Sequence, residues 1–143
     1  MNSVVLDTSV VIKWLNQSSE ENIDKADEIM EAALRGKIKL FAPELARYEC
    51  GNVLLKGKKM NPSEAQIVLG TAYALPITFI SESEDMAKET FEIAFGMGIT
   101  YYDAAFLCLA KKIDATLVTE NIKHQAESKG IKVVSLSEYI VVS

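Results

Sequence analysis

Five short runs rich in valine, isoleucine and leucine recur along this chain, each separated from the next by segments with helical spacing. They are "SVVLD", "IKLFAP", "ITFI", "ATLVT" and "IKVVS". The first does not alternate apolar with polar residues, as a strand with one wet face would, and reads as a strand buried on both sides. The fourth is a second valine- and leucine-rich strand, and the alternation of such runs with helices implies a largely parallel sheet covered on both faces and an α/β chain. No repeat, low-complexity stretch or linker breaks the pattern, so residues 1–143 are expected to form a single domain.

The intervening segments carry helix punctuation. Thr8 or Ser9 is placed to cap a short helix carrying Val10, Val11, Trp14 and Leu15. "SSEENIDKADEIMEAALRGK" reads as a helix with serine caps, early acids and Gly36 at its end. Further helices are expected from Glu44 to about Lys56, from Asn61 to about Leu75 and from Ser83 to Met97. The last of these has Met86, Phe91 and Phe95 toward its inner side. Thr100 opens "YYDAAFLCLAKK", and a final helix is expected over Asn121 to Lys129. The acids of the second and fifth helices, Glu20 and Glu89 among them, interleave with lysines and read as solvated faces.

Composition excludes several chemistries. His124 is the single histidine, expected at the surface, so a zinc cluster or a Ser-His-Asp triad lacks material. Cys50 and Cys108 fall inside helical patterns and read as reduced, buried thiols. A net charge of −5 argues against a broad electrostatic nucleic-acid binder, yet permits an enzyme that meets phosphodiesters through bound cations. No stretch approaches the roughly 20 apolar residues of a membrane span, and Asp7 interrupts the N-terminal apolar run. The expectation is a soluble, cytoplasmic protein.

Three acids stand apart from the solvated ones. Asp7 ends the first strand, where parallel sheets bind ligands, and reads equally as a helix N-cap. Glu49 shares a helix face with Leu45, Asn52 and Val53. A carboxylate on such a stripe needs a cation or a salt-bridge partner. Asp103 follows Thr100 at capping-box spacing and heads the apolar stripe of Phe106, Leu107 and Ala110. Glu120 and Asn121 end the fourth strand on the same rim as Asp7 if the two strands are parallel. Dispersed acids of this kind suit a site assembled by folding, and hard oxygen ligands imply Mg²⁺ or Mn²⁺ rather than zinc.

With these residues in place, the chain resembles the PIN-domain ribonucleases, in particular the VapC-type toxins of toxin–antitoxin pairs. The resemblance is carried by "VVLDTSVVIKWL", "APELARYECGNVL", "GITYYDAAFLCLAKKIDATLVTEN" and "GIKVVSLSEYI", and runs nearly end to end. It implies a three-layer α/β/α sandwich with a central, mostly parallel sheet, and a Mg²⁺- or Mn²⁺-dependent endoribonuclease. It implies metal ligands at Asp7, Glu49 and Asp103, and a fourth site position in the turn after Thr119. There the family usually has an aspartate two residues after the threonine, whereas this chain has Asn121, with Glu120 between. Asn121 is expected to face the site, with Glu120 the alternative. Ser9 and Thr119 are expected to orient an acid or a water, and read equally as caps.

The same resemblance implies an RNA substrate, a small antitoxin partner and a homodimer. Ile29, Met30, Ile67, Val68 and Tyr73 are candidates for a partner-binding face. Lys13, Arg47, Lys56, Lys58 and Lys59 are candidates to hold phosphates, and read equally as ordinary solvated cations. One rival is a dehalogenase-type phosphatase, whose D-x-D pattern fails here because position 9 is serine. The other is a non-catalytic PIN-fold module that binds RNA or protein, which the asparagine at 121 leaves open.

Overall fold

The computed structural model describes residues 2–122 and 130–141. Its five strands are β1 (Asn2–Leu6), β2 (Ile38–Pro43), β3 (Ile77–Ile80), β4 (Thr116–Thr119) and β5 (Lys132–Ser135). They form one sheet in the order β3-β2-β1-β4-β5, every neighbouring pair parallel. Val4, Val5 and Leu6 are 1%, 0% and 0% exposed. Successive strand residues face opposite sides, so both faces of the sheet must be covered. The layers are helix, sheet, helix, as the valine-rich runs require.

Six helices among the described residues supply the covering. They are α1 (Thr8–Val11, continued by a 3-10 turn over Ile12–Trp14), α2 (Ile23–Leu34) and α3 (Leu45–Asn52, continued by a π turn over Val53–Gly57). Then come α4 (Pro62–Ala74), α5 (Glu84–Met97) and α6 (Tyr101–Lys112). Helix α6 buries Ala104 and the whole run Phe106 to Ala110 against β1, β2 and β4, with α5 packed on it. The caps fall where the sequence placed them for α4, α5 and α6. Asn61 and Glu64 close a capping box, and the Ser83 and Thr100 hydroxyls accept from Met86 N and Asp103 N. No single described helix is long and apolar enough to cross a membrane.

Three expectations change. Helix α2 begins at Ile23, not at the serines, because Glu20 turns inward to meet two lysines. On α5 the inward positions are Met86, Thr90, Ile93 and Met97, whereas Phe91 and Phe95 are exposed. At about 100° per residue, the inner spacings of four and three put Phe91 well off that face and Phe95, two residues from both Ile93 and Met97, nearly opposite it. Ile29 belongs to the core, leaving Ile67 and Tyr73 as the strongly exposed members of the proposed partner face. The helix expected over 121–129 and His124 lie almost wholly outside the described residues. Cys50 and Cys108 are free and buried.

The strand order sets the site. The chain steps from β1 to β2 to β3 in one direction, then returns to the other side of β1 with β4 and β5. Connections leave β1 and β4 in opposite directions, opening a crevice beyond their carboxyl ends. Asp7 N donates to Val118 O at 3.0 Å, fixing the strand ends side by side.

Candidate active site

A cavity of about 460 Å³ occupies that crevice, lined by Asp7, Thr8, Ser9, Glu49, Asn52, Asp103 and Asn121 with Ile12, Leu45, Tyr48, Val53 and Tyr102. The carboxylates come from three separate places: the end of β1, the middle of α3 and the first turn of α6. No lysine, arginine or histidine lines the cavity among the described residues.

Asp7 is 6% exposed and both caps α1 and faces the cavity. Its Oδ2 accepts from Ser9 N at 3.1 Å and from Ser9 Oγ at 2.5 Å, so Asp7 itself, rather than Thr8 or Ser9, is the cap. Ser9 Oγ also accepts from Glu120 N at 3.1 Å. One hydroxyl thus ties the Asp7 carboxylate to the turn after β4.

Glu49 is half-buried. The fully buried face of α3 carries Ala46 and Cys50, and Glu49 stands beside it at the cavity wall. The expected stripe is rotated accordingly: Asn52 is exposed, and Leu45 and Val53 are half-buried. No cation pairs with Glu49 among the described residues; its Oε1 accepts from Thr8 Oγ1 at 2.5 Å. Burial pushes its carboxyl pKa above the ordinary glutamate value, against the Thr8 hydrogen bond, and the charges of Asp7 and Asp103 push further the same way. The neighbouring Cys50 thiol is raised to about 12, by burial first and then by the charges of Glu49 and Asp7.

The capping box at Asp103 is half made. Thr100 Oγ1 accepts from Asp103 N at 3.0 Å, while the Asp103 carboxylate lines the cavity. Asn121 lines it too, and its N donates to Thr119 Oγ1 at 2.9 Å, so the wholly buried Thr119 shapes the turn. Glu120 is turned away, held by Asn22 Nδ2 at 2.8 Å and Lys13 Nζ at 2.9 Å.

Lys13 and Lys58 are already committed elsewhere. Lys13 is 0% exposed, and its Nζ meets Glu20 Oε1 at 2.9 Å, Glu120 Oε2 at 2.9 Å and the Glu21 carbonyl at 2.6 Å. Lys58 pairs with Glu20 Oε2 at 2.7 Å, so Glu20 is part of a buried network rather than a solvated face. The Arg47 guanidinium lies 4.1 Å from the Tyr73 ring centre and 4.0 Å from that of Phe79. Sequence reasoning missed Thr8 as the partner of Glu49, and Tyr48 and Tyr102 as walls. Each tyrosine directly precedes an acid on its helix, which is the one available signal.

Among the described residues, no three His, Cys, Asp or Glu side chains stand close enough to enclose a metal as they are placed. The donor chemistry nevertheless suits a hard divalent ion that keeps several waters and takes carboxylates from the wall, as Mg²⁺ does.

The model of the PIN domain family matches residues 4–134, and the chain belongs to that family. PIN domains are generally nucleases. Solved structures share the fold at low identity. VapBC2 from Rickettsia felis, bound to a DNA fragment from its promoter, aligns with TM-score 0.68 and 17% identity over 93% of this chain and 98% of that one. PAE2754 from Pyrobaculum aerophilum gives 0.65 and 22% over 95% and 90%. A toxin–antitoxin complex from Klebsiella pneumoniae gives 0.60 and 20% over 93% and 97%. No match was found among curated protein sequences.

Proposed function

We propose that this PIN domain is a Mg²⁺- or Mn²⁺-dependent endoribonuclease whose site residues are Asp7, Glu49, Asp103 and Asn121, the three acids holding the cation. The observation that carries this reading is that three carboxylates from distant segments line one cavity without a counter-cation among the described residues. Carboxylates so placed repel, and a bound divalent ion relieves that repulsion. When bound, the ion polarises a phosphate oxygen and lowers the pKa of water.

The protein's own groups then have distinct tasks. Ser9 fixes the Asp7 carboxylate, and Thr8 fixes Glu49. Glu49, its carboxyl already inclined to take a proton, serves as ligand or as general base toward the attacking water. Asn121 supplies a neutral amide where the family usually has an acid, which lowers the negative charge of the site by one. Water oxygen bonds to phosphorus as the bond to the 3′ oxygen breaks, and a proton passes to that oxygen. The products carry 5′-phosphate and 3′-hydroxyl ends, and no covalent enzyme intermediate forms.

The toxin–antitoxin complex among the fold relatives supports an antitoxin as partner and a toxin role. Exposed Ile67, Tyr73, Phe91 and Phe95 support a homodimer or a docked partner. The test is cleavage of an end-labelled single-stranded RNA in Mn²⁺ and in EDTA. Cleavage that EDTA abolishes is expected; binding without cleavage under both conditions would favour the non-catalytic module.

A further inference from the structure

Two tyrosines rim the acidic cavity with their rings in solvent. Tyr48, 73% exposed, directly precedes Glu49, and Tyr102, 59% exposed, directly precedes Asp103. Consecutive helical residues point about 100° apart, so each acid faces the cavity while its tyrosine stands at the lip. The same two rings, with Leu45, also wall a second cavity of about 420 Å³. That cavity runs on toward Pro43, Ile80 and Met86 and is mostly apolar. An acidic pocket for a cation therefore opens directly into a trough with an aromatic entrance.

Charge decides what this entrance is for. A chain at −5 gains little from counterion release, no cation lines the acidic cavity among the described residues, and three of the five candidate phosphate contacts are held elsewhere. Lys13 and Lys58 are held by Glu20, with Glu120 also on Lys13, and Arg47 packs on Tyr73 and Phe79. If phosphate contacts are few, affinity for RNA has to come from its bases. Every base has a face that stacks on an aromatic ring, and only unpaired bases can present it. Tyr101 also lines the second cavity, with Glu44 and Glu82, but its hydroxyl is bound to Glu82 and its pKa raised to about 12, that hydrogen bond being the main cause.

Resting on the ribonuclease reading above, we propose that Tyr48 and Tyr102 stack on nucleobases flanking the scissile phosphate. Recognition is then by stacking rather than by a basic face, and affinity depends only weakly on salt.

The test measures binding by fluorescence anisotropy in a Glu49→Gln background with Mn²⁺, which keeps the RNA intact. The probes are an unpaired RNA of about ten nucleotides, the same RNA with abasic riboses, and its duplex. Tyr48→Ala and Tyr102→Ala are each expected to weaken binding of the unpaired RNA about tenfold, and the phenyl ring of Tyr48→Phe or Tyr102→Phe to recover it. The abasic RNA and the duplex should bind more weakly than the unpaired RNA in the parent. Raising salt from about 50 to 200 mM should cost less than about tenfold. Equal affinity for abasic and intact RNA overturns the proposal. So does alanine at both tyrosines with unchanged RNA affinity, which would assign the rings to another occupant such as a polypeptide. Cleavage by the wild type is followed separately: stacking without cleavage removes the nuclease reading alone, and cleavage without a tyrosine effect removes the stacking alone.

Discussion

Replacing Lys13 with methionine tests the buried network behind the site. Methionine keeps an unbranched chain of similar length but removes the ammonium, which is 0% exposed and has three acceptors within 2.9 Å. The two acids left behind are not wholly orphaned. Glu20 keeps Lys58 at 2.7 Å and Glu120 keeps Asn22 at 2.8 Å, and they are 15% and 26% exposed. Breaking a buried ion pair from one side costs about 3–5 kcal/mol, and the remaining partners place Lys13→Met near the low end, about 3 kcal/mol. For a chain of this size that is a fall in Tm of roughly 10 °C. Adding Glu120→Gln should return about 1 kcal/mol or more, since one uncompensated charge is then gone. Burial works to lower the Lys13 pKa, but hydrogen bonds and charges from Glu120 and Glu20 outweigh it and hold it above the ordinary lysine value of 10.5. The folded pKa is raised, so this stabilisation is complete below 10.5 and is lost as pH climbs through the folded value. The assay is urea unfolding of the wild type, both single variants and the double variant at neutral pH. A Lys13→Met loss below about 1 kcal/mol, the scale of exposed pairs, would refute the network.

Glu49→Gln should lower Mn²⁺-dependent RNA cleavage by about a hundredfold or more, while the amide still accepts from Thr8; wild-type cleavage with earlier melting would make Glu49 a scaffold residue. In EDTA, the raised Glu49 pKa means that the folded protein keeps this proton longer than the unfolded chain. Its contribution to stability therefore falls as pH rises from the ordinary value of 4.5 through the folded one, and melting curves of wild type against Glu49→Gln should diverge across that window. Millimolar Mn²⁺ should raise the melting temperature, and Asp7→Asn with Asp103→Asn should remove most of the rise; an equal rise in the double variant would place the ion elsewhere.

The strands were legible because residues buried on both faces leave uninterrupted valine runs, as at Val4 to Leu6. Asp7 and Asp103 stood out because strand ends and first helical turns are marked by local sequence. Burial on α5 was misread at Phe91 and Phe95 because hydrophobicity carries no phase by itself, and Thr90 took the inward position. Glu20 was misread because its partners, Lys13 and Lys58, lie in other elements. Lys13 interrupts the apolar run "VVIKWL", and a cation there signals a buried counter-charge that sequence alone does not locate. Neighbouring residues Glu120 and Asn121 diverge because Lys13 and Asn22 hold the first away from the cavity that the second lines.

Whether Asp7 and Asp103 act together on one cation is tested most directly by the cleavage rates of Asp7→Asn, Asp103→Asn and the double variant on single-stranded RNA in Mn²⁺. Groups that work as a unit lose their effect together, so each single variant should fall about a hundredfold or more and the double variant little further. A single variant that cleaves at the wild-type rate, or losses that multiply in the double variant, would contradict a shared cation at this site.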